Sequence, residues 1–332
     1  MYELLGLSLA LAALLTINVL VTLAATIIWG SLDKQTRHWT ARRRAGWLFA
    51  LRALPAGVAL GCVLALLIPA WALHEPYQTA EIVSFRLAAL ALLSMAGIAL
   101  AIGRGLASWI VTRRLVKDWL GNATLVRCDQ FSLPVYRLAH RFPVIAIVGA
   151  WRPRLFIADQ VFQTLSQAEL AAALAHECGH LKARDNLKRA VLRACRDALS
   201  IVPCGRALDR AWAAEAEAAA DEYAARAGSA AALDLAAALV KIARLIPAGA
   251  HPALPAGALL IGHEAGSVAA RVQRLTELAS TEISPTSSQR APRYLFPLCF
   301  SGGVLCLAFI ASNTQILSVI HSALELIVSA LQ

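Results

Sequence analysis

Between Leu4 and Leu32 the chain carries no charged residue. A run of that length has one natural environment, because about 20 apolar residues in a helix cross the hydrocarbon core of a bilayer. There each backbone N–H and C=O must find its partner within the helix itself. Two further runs have the same character, one from about Trp47 to Leu73 with Arg52 near its start, the other from about Leu87 to Thr112 with Arg104 near its end. A fourth begins near Tyr294. With 58% of 332 residues hydrophobic and a mean hydropathy of +0.61, the chain is too apolar for an ordinary soluble domain. The first run lacks the basic leader of a cleaved signal and has Glu3 in front, so it reads as a retained span.

Charge sets the expected orientation. The loop SLDKQTRHWTARRRAG holds Lys34, Arg37, Arg42, Arg43 and Arg44 against Asp33, and by the positive-inside rule belongs in the cytoplasm. HEPYQTAEIVSF has Glu75 and Glu81 with no Lys or Arg and suits the outside, whereas Arg104, Arg113, Arg114 and Lys117 return the chain to the cytoplasm after the third run. The expectation is a multi-pass protein of the cell (inner) membrane with its N-terminus outside. The formal charge of +10 abuts these spans, which favours the lipid bilayer's anionic headgroups as partner and gives no reason to expect nucleic acid. Seven cysteines show no close pairing, so neither a disulfide framework nor a cysteine zinc module is indicated.

The expected organisation is three spans within 1–114 (about 4–32, 47–73 and 87–112), a cytoplasmic domain over 115–290, and a fourth span with a terminal helix over 291–332. In the middle region PVIAIVGAWRPRLFIADQVF reads as two strands around Gly149 to Pro153. Ser166 and Glu169 then form a capping box, which starts a helix near Gln167. Further helices are expected over Asn186 to Leu199 and Arg206 to Ala227, broken at Pro203 and Gly205. At the end, Ser318, Ser322, Glu325, Ser329 and Gln332 recur at alternating steps of four and three. They mark an amphipathic helix, either in the outer interface or as a fifth span.

The helix after Gln167 contains AHECGH. At about 100° per residue, His176, Glu177 and His180 share one face. Two imidazoles so placed can grip one Zn²⁺, with the glutamate beside it able to take a proton from an activated water. An accidental helix face is the bland alternative, made uncommon by only eight histidines in the chain. Cys178 points the other way and reads as core. A catalytic zinc usually has three protein ligands and an open position. WAAEAEAAADEYAARAG offers Glu215, Glu217, Asp221 and Glu222; Glu217 and Asp221, four apart, repel unless a cation lies between them, and a solvated acidic face accounts for the spacing equally well.

HExxH followed by Glu217 and Asp221 in EAAAD resembles the gluzincin membrane metallopeptidases, a group that includes the BlaR/MecR-type antirepressor peptidases and the HtpX and CAAX-prenyl types. GAWRPRLFIADQVFQTLSQAEL, HLKARDN, the break at Pro203 and SVAARVQRL extend the likeness over about 143–275. The resemblance implies a mainly α membrane protein, a multi-span bundle with an α+β zincin-like domain. It makes His176, His180 and Glu217 the ligands of one Zn²⁺ and Glu177 the general base, with Asp221 orienting a ligand histidine. Asp185 matches the family position after HExxH, yet on an unbroken helix it would face away from the zinc, so a helix-end role stands beside an orienting one. Tyr223, His263 and Arg271 are candidates for oxyanion stabilisation; His38, His74, His140, His251 and His321 read as incidental. Strands near 144–148 and 154–158 would pair with an extended substrate.

Three spans ahead of the motif fit the BlaR/MecR type. In the HtpX type two precede it and further apolar segments follow, whereas here LKRAVLRACRDALSIVPCGRALDR is too charged to span. The expected function is a membrane-embedded zinc endopeptidase acting on a cytoplasmic or membrane-associated protein in regulated proteolysis. No penicillin-binding sensor follows the last span, so a separate sensor or regulatory protein is implied. HtpX-like quality control is the second reading. A non-catalytic signalling scaffold with a structural metal is the third, and Glu177 argues against it because a structural site has no use for a base.

Overall fold

The computed structural model describes residues 2–75, 83–126, 134–198, 205–246, 265–280, 305 and 308–331. Among them, three helices are long and apolar enough to cross a membrane: Tyr2–Gln35, Ala41–His74 and Phe85–Gly121. The first is α1. The second joins α2 (Ala41–Cys62) and α3 (Ile68–His74) through a π-helical turn, Val63–Leu67, and the third is α4. Thr40 and Ser84 cap α2 and α4 through their side-chain oxygens. Leu20, Ile27, Leu64, Leu73, Leu92 and Ile102 stay exposed along these helices, an apolar surface fit for lipid. At 37 residues α4 is about 55 Å long, well beyond a hydrocarbon core of about 30 Å. Its surplus carries Trp119 into the next layer, edge-on to Phe156 with ring centroids 5.0 Å apart.

The expected fourth span falls largely outside the described residues. The amphipathic terminal helix, α11 (Thr314–Leu331), packs on α3 and the π-helical turn. Its Val328 is buried with Leu5, Leu9, Ala12 and Leu87, and His321 Nε2 lies 3.7 Å from Glu75 and 3.3 Å from Glu325.

Beyond α4 comes a four-stranded sheet, β1 (Ala123–Val126), β2 (Val135–Leu138), β3 (Ile145–Val148) and β4 (Arg154–Ala158), in the order β1-β2-β4-β3. The expected hairpin is β3–β4, antiparallel with Val148 opposite Arg154. Gly149 turns it at φ 105°, where a Cβ would sit 2.9 Å from the carbonyl oxygen of Arg152. β1 and β2 were not anticipated, being four residues each with no strict alternation. β2 runs parallel to β4 and covers its far side, so among the described residues only β3 of the two has no neighbouring strand on its outer side, and the expectation that both could take a substrate is corrected.

The remaining helices are α5 (Asp159–Thr164), α6 (Gln167–Ala183), α7 (Asp185–Ala198), α8 (Arg206–Ala225), α9 (Ser229–Leu245) and α10 (Ala265–Ser280). The sheet, α6, α9 and α10 close one core around Phe156, Ile157, Leu235 and Leu239. A second core joins the charged α7–α8 pair to the spans. Leu192, Leu208, Trp212 and Ala216 pack on Ala25, Trp29, Ala45, Leu48 and Leu51. Arg52 and Arg104 of the apolar helices meet Asp209 and Asp197 of that pair at 2.9 and 3.1 Å. At Gly97 of α4 a Cβ would run into the carbonyl oxygen of Ala198, so the end of α7 touches backbone there. The molecule is thus a membrane helical bundle with an α+β unit folded against it.

Candidate metal centre

α6 begins at the capping box: Ser166 Oγ accepts from Glu169 N at 3.2 Å, and Glu169 Oε2 from Ser166 N at 2.8 Å. Ala172, Ala173 and Leu174 bury one side of the helix in the core, which fixes its rotation. His176 and Glu177, at 1% and 4% exposure, then lie at the surface shared with α8. The two helices come close at Gly179, where a Cβ would stand 3.0 Å from Ala220 Cα and 3.2 Å from Tyr223 Cβ. That crossing brings Glu217 and Asp221, one turn apart on α8, to the histidine pair.

The donor atoms converge. His176 Nε2 and His180 Nε2 are 3.2 Å apart, and Glu217 lies 3.6 Å from each, Oε2 toward His176 and Oε1 toward His180. Bonds of about 2.0–2.1 Å to a tetrahedral ion give donor separations of about 3.4 Å, so this triangle has the size for zinc. Each ring is held from behind. Asp221 Oδ1 is 2.9 Å from His176 Nδ1, and Asp185 Oδ2 is 2.8 Å from His180 Nδ1. A ring that donates through Nδ1 keeps its Nε2 lone pair for an ion.

Asp185 reaches His180 because α6 stops one residue earlier. Arg184 takes the left-handed conformation at φ 55° and ψ 39°, and α7 starts afresh from Asp185. This corrects the unbroken-helix geometry that turned Asp185 away.

Four carboxylates, those of Glu177, Asp185, Glu217 and Asp221, surround the histidines, faced by Arg189, Arg271 and, at the rim, Lys188. The negative excess is what a dication would neutralise. Burial pushes the Glu177 carboxyl up, against the pull of His180 and His176. Burial also works to raise Glu217, but the charge of His180 and the two histidine contacts hold it well below the usual range. His180 shows the reverse: burial lowers its pKa, and Glu217 and Asp185 outweigh that and lift it to about 10.

The three oxyanion candidates fare differently. Arg271 is held in ion pairs, its NH2 2.7 Å from Asp221 Oδ1, its Nε 3.0 Å from Oδ2 and its NH1 3.4 Å from Glu217 Oε2. Tyr223 accepts from Lys182 on an exposed side of α8, and His263 lies outside the described residues. Glu215 and Glu222, on the face of α8 turned to α2, bind Arg44 at 2.8 Å and the Ala41 backbone N–H at 3.2 Å. Cys178 is partly buried against the core, its thiol pushed up by burial.

Two further residues at the site were not singled out in the sequence, although Asn186 closes the HLKARDN segment. Arg189 NH2 reaches Glu217 Oε1 at 3.1 Å and lines the pocket over the histidine pair. Asn186 donates to the carbonyls of Ile147 at 2.8 Å and Gly149 at 3.2 Å, tying the edge strand to the start of α7. Beside His180 a cleft of about 340 Å³ opens between Ile147, Trp151, Leu181 and Leu187.

No curated protein matches the chain. Residues 146–211 match the family model of Peptidase family M48, a stretch from the edge strand into α8 that holds His176, Glu177 and His180 and ends before Glu217. The match and the convergence of donors on one triangle together support a membrane-associated metallopeptidase of the M48 kind.

Proposed function

We propose that the protein is a membrane-embedded zinc endopeptidase that cleaves a cytoplasmic or membrane-associated protein. The observation that carries this reading is the triangle of His176, His180 and Glu217 with Glu177 buried beside it. Zinc, when bound there, supplies Lewis acidity, polarising the scissile carbonyl and easing deprotonation of water. Glu177 takes the proton as attack occurs and returns it to the leaving amine, and a raised carboxyl pKa suits both directions of transfer. Asp221 and Asp185 hold the two rings in the tautomer that binds an ion. Beyond the Ile147 carbonyl that Asn186 occupies, the outer edge of β3 would offer backbone partners to an extended substrate, whose side chains would reach the cleft beside His180.

The basic loop at Arg42 to Arg44 supports a site on the cytoplasmic side and an N-terminus outside. Three spans ahead of the motif support the BlaR/MecR-type arrangement, and with it regulated proteolysis driven by a separate sensor.

The test uses purified full-length protein, with zinc content and cleavage of an unfolded protein as readouts. Wild type should hold one zinc and cleave; Glu177→Gln should keep the zinc and lose about 100-fold or more in rate; His176→Ala should lose the zinc. A Glu177→Gln variant as fast as wild type would end the mechanism. A reporter fused within the sheet that reads as extracytoplasmic would overturn the orientation.

A further inference from the structure

We propose that Arg189 is the group that stabilises negative charge on the carbonyl oxygen of the scissile bond. The inference rests on the peptidase reading and deepens it: of the candidates drawn from sequence, Tyr223 and Arg271 do not line the pocket over the histidine pair, and His263 lies outside the described residues.

Elimination and placement agree. Among the described residues that line the pocket over the histidine pair, four carry side chains that donate: the two histidines, Asn186 and Arg189. The histidine Nδ1 atoms are taken by Asp221 and Asp185. Asn186 spends its amide on the carbonyls of Ile147 and Gly149. Arg189 remains. A guanidinium presents five N–H groups in a fixed fork, and among the described residues this one has a single hydrogen-bond acceptor, Glu217 Oε1 at 3.1 Å. It stands on α7, one turn after Asp185, so the element that orients His180 also fixes the root of Arg189.

Its environment suits the task. The side chain lines the pocket at 18% exposure, whereas Arg271, at 10%, is paired with both Asp221 and Glu217. A fixed cation there is rewarded when charge moves onto the carbonyl oxygen, and the interaction strengthens as substrate excludes water. Glu217 keeps the guanidinium from swinging into solvent.

The competing role is structural: Arg189 could serve only to hold Glu217 in place. The two are separated by comparing full-length wild type with Arg189→Met and Arg189→Lys. Charge stabilisation predicts a loss of about 100-fold in kcat for Arg189→Met with KM nearly unchanged, and a smaller loss for Arg189→Lys, which keeps the charge without the fork. Affinity for a peptide phosphonamidate, whose tetrahedral anionic centre imitates the developing charge, should fall by the same factor as kcat. Zinc content should stay at one per chain, and the amide peptide should bind to Glu177→Gln/Arg189→Met as it binds to Glu177→Gln. Loss of zinc in parallel with activity would overturn the proposal in favour of the structural role, and so would an unchanged kcat. Wild type that neither binds zinc nor cleaves would instead bring down the peptidase reading, and this inference with it.

Discussion

Asp185 shows how much one backbone conformation can decide. A residue other than glycine in the left-handed region costs about 1–2 kcal/mol, and Arg184 sits there at φ 55° with no glycine in the sequence to announce the turn. The return is a carboxylate 2.8 Å from His180 Nδ1. Together with Glu217 it lifts the metal-free ring to about 10, so at neutral pH His180 carries a proton that zinc must displace. The sign follows: zinc uptake releases protons, and apparent affinity rises with pH, about tenfold per unit for each proton displaced, while the pH is below that raised value. Titration calorimetry in buffers of different ionisation enthalpy should show the release in wild type. Asp185→Ala should release less and bind zinc about 10–100-fold more weakly; equal affinities for the two proteins would remove Asp185 from the site. Here the sequence was half legible, since the motif marked the position but helical periodicity sent its side chain the wrong way.

At the scale of elements, the metal site is a crossing of two helices. The capping box at Ser166 and the hairpin around Gly149 could be read directly, because both are local and each depends on residues within a few positions. The α6–α8 crossing is long-range, and Gly179 in the middle of HECGH reads locally as no more than a weak helix former. In the fold it is the point of closest approach, with Ala220 Cα 3.0 Å from where a Cβ would be. Overpacking at such a contact costs about 1–3 kcal/mol. Because Glu217 and Asp221 flank Ala220, the displacement falls on the metal site. Gly179→Val should therefore lower stability by about that amount and weaken zinc binding in the same protein, measured by denaturant unfolding and zinc titration. Gly46→Ala in α2, where nothing lies within 4 Å, is the control: it should leave zinc binding unchanged and raise stability by about 0.5–1 kcal/mol through helix propensity. Zinc affinity unaffected by Gly179→Val would show that the crossing does not set the site.

For the whole molecule, the membrane helices belong to the architecture of the site. α8 turns Leu208, Trp212 and Glu215 toward α1 and α2 and presents Glu217 and Asp221 to the histidines, so a single helix joins span and ligand. This docking could not be read from the chain, because amphipathic LKRAVLRACRDA reads as a solvated helix and the partner of Arg52 lies more than 150 positions away, at Asp209. Arg52 is 1% exposed and pairs through Nε at 2.9 Å, while its NH1 and NH2 and Asp209 Oδ2 find no hydrogen-bond partner among the described residues. Removing one partner of a buried pair costs about 3–5 kcal/mol, since the other charge is left stranded, whereas exchanging both for apolar groups of similar size is often neutral. Arg52→Met should therefore destabilise the full-length protein by about that amount and loosen zinc, and Arg52→Met/Asp209→Leu should recover most of both. Thermal unfolding in detergent with zinc titration on the same samples completes the cycle. If Arg52→Met proved as stable as wild type, the pair would be a passive contact. If the double variant recovered stability without zinc affinity, the charges would be positioning α8 for its ligand in addition to anchoring it, and the reach of the membrane helices into the active site would be electrostatic.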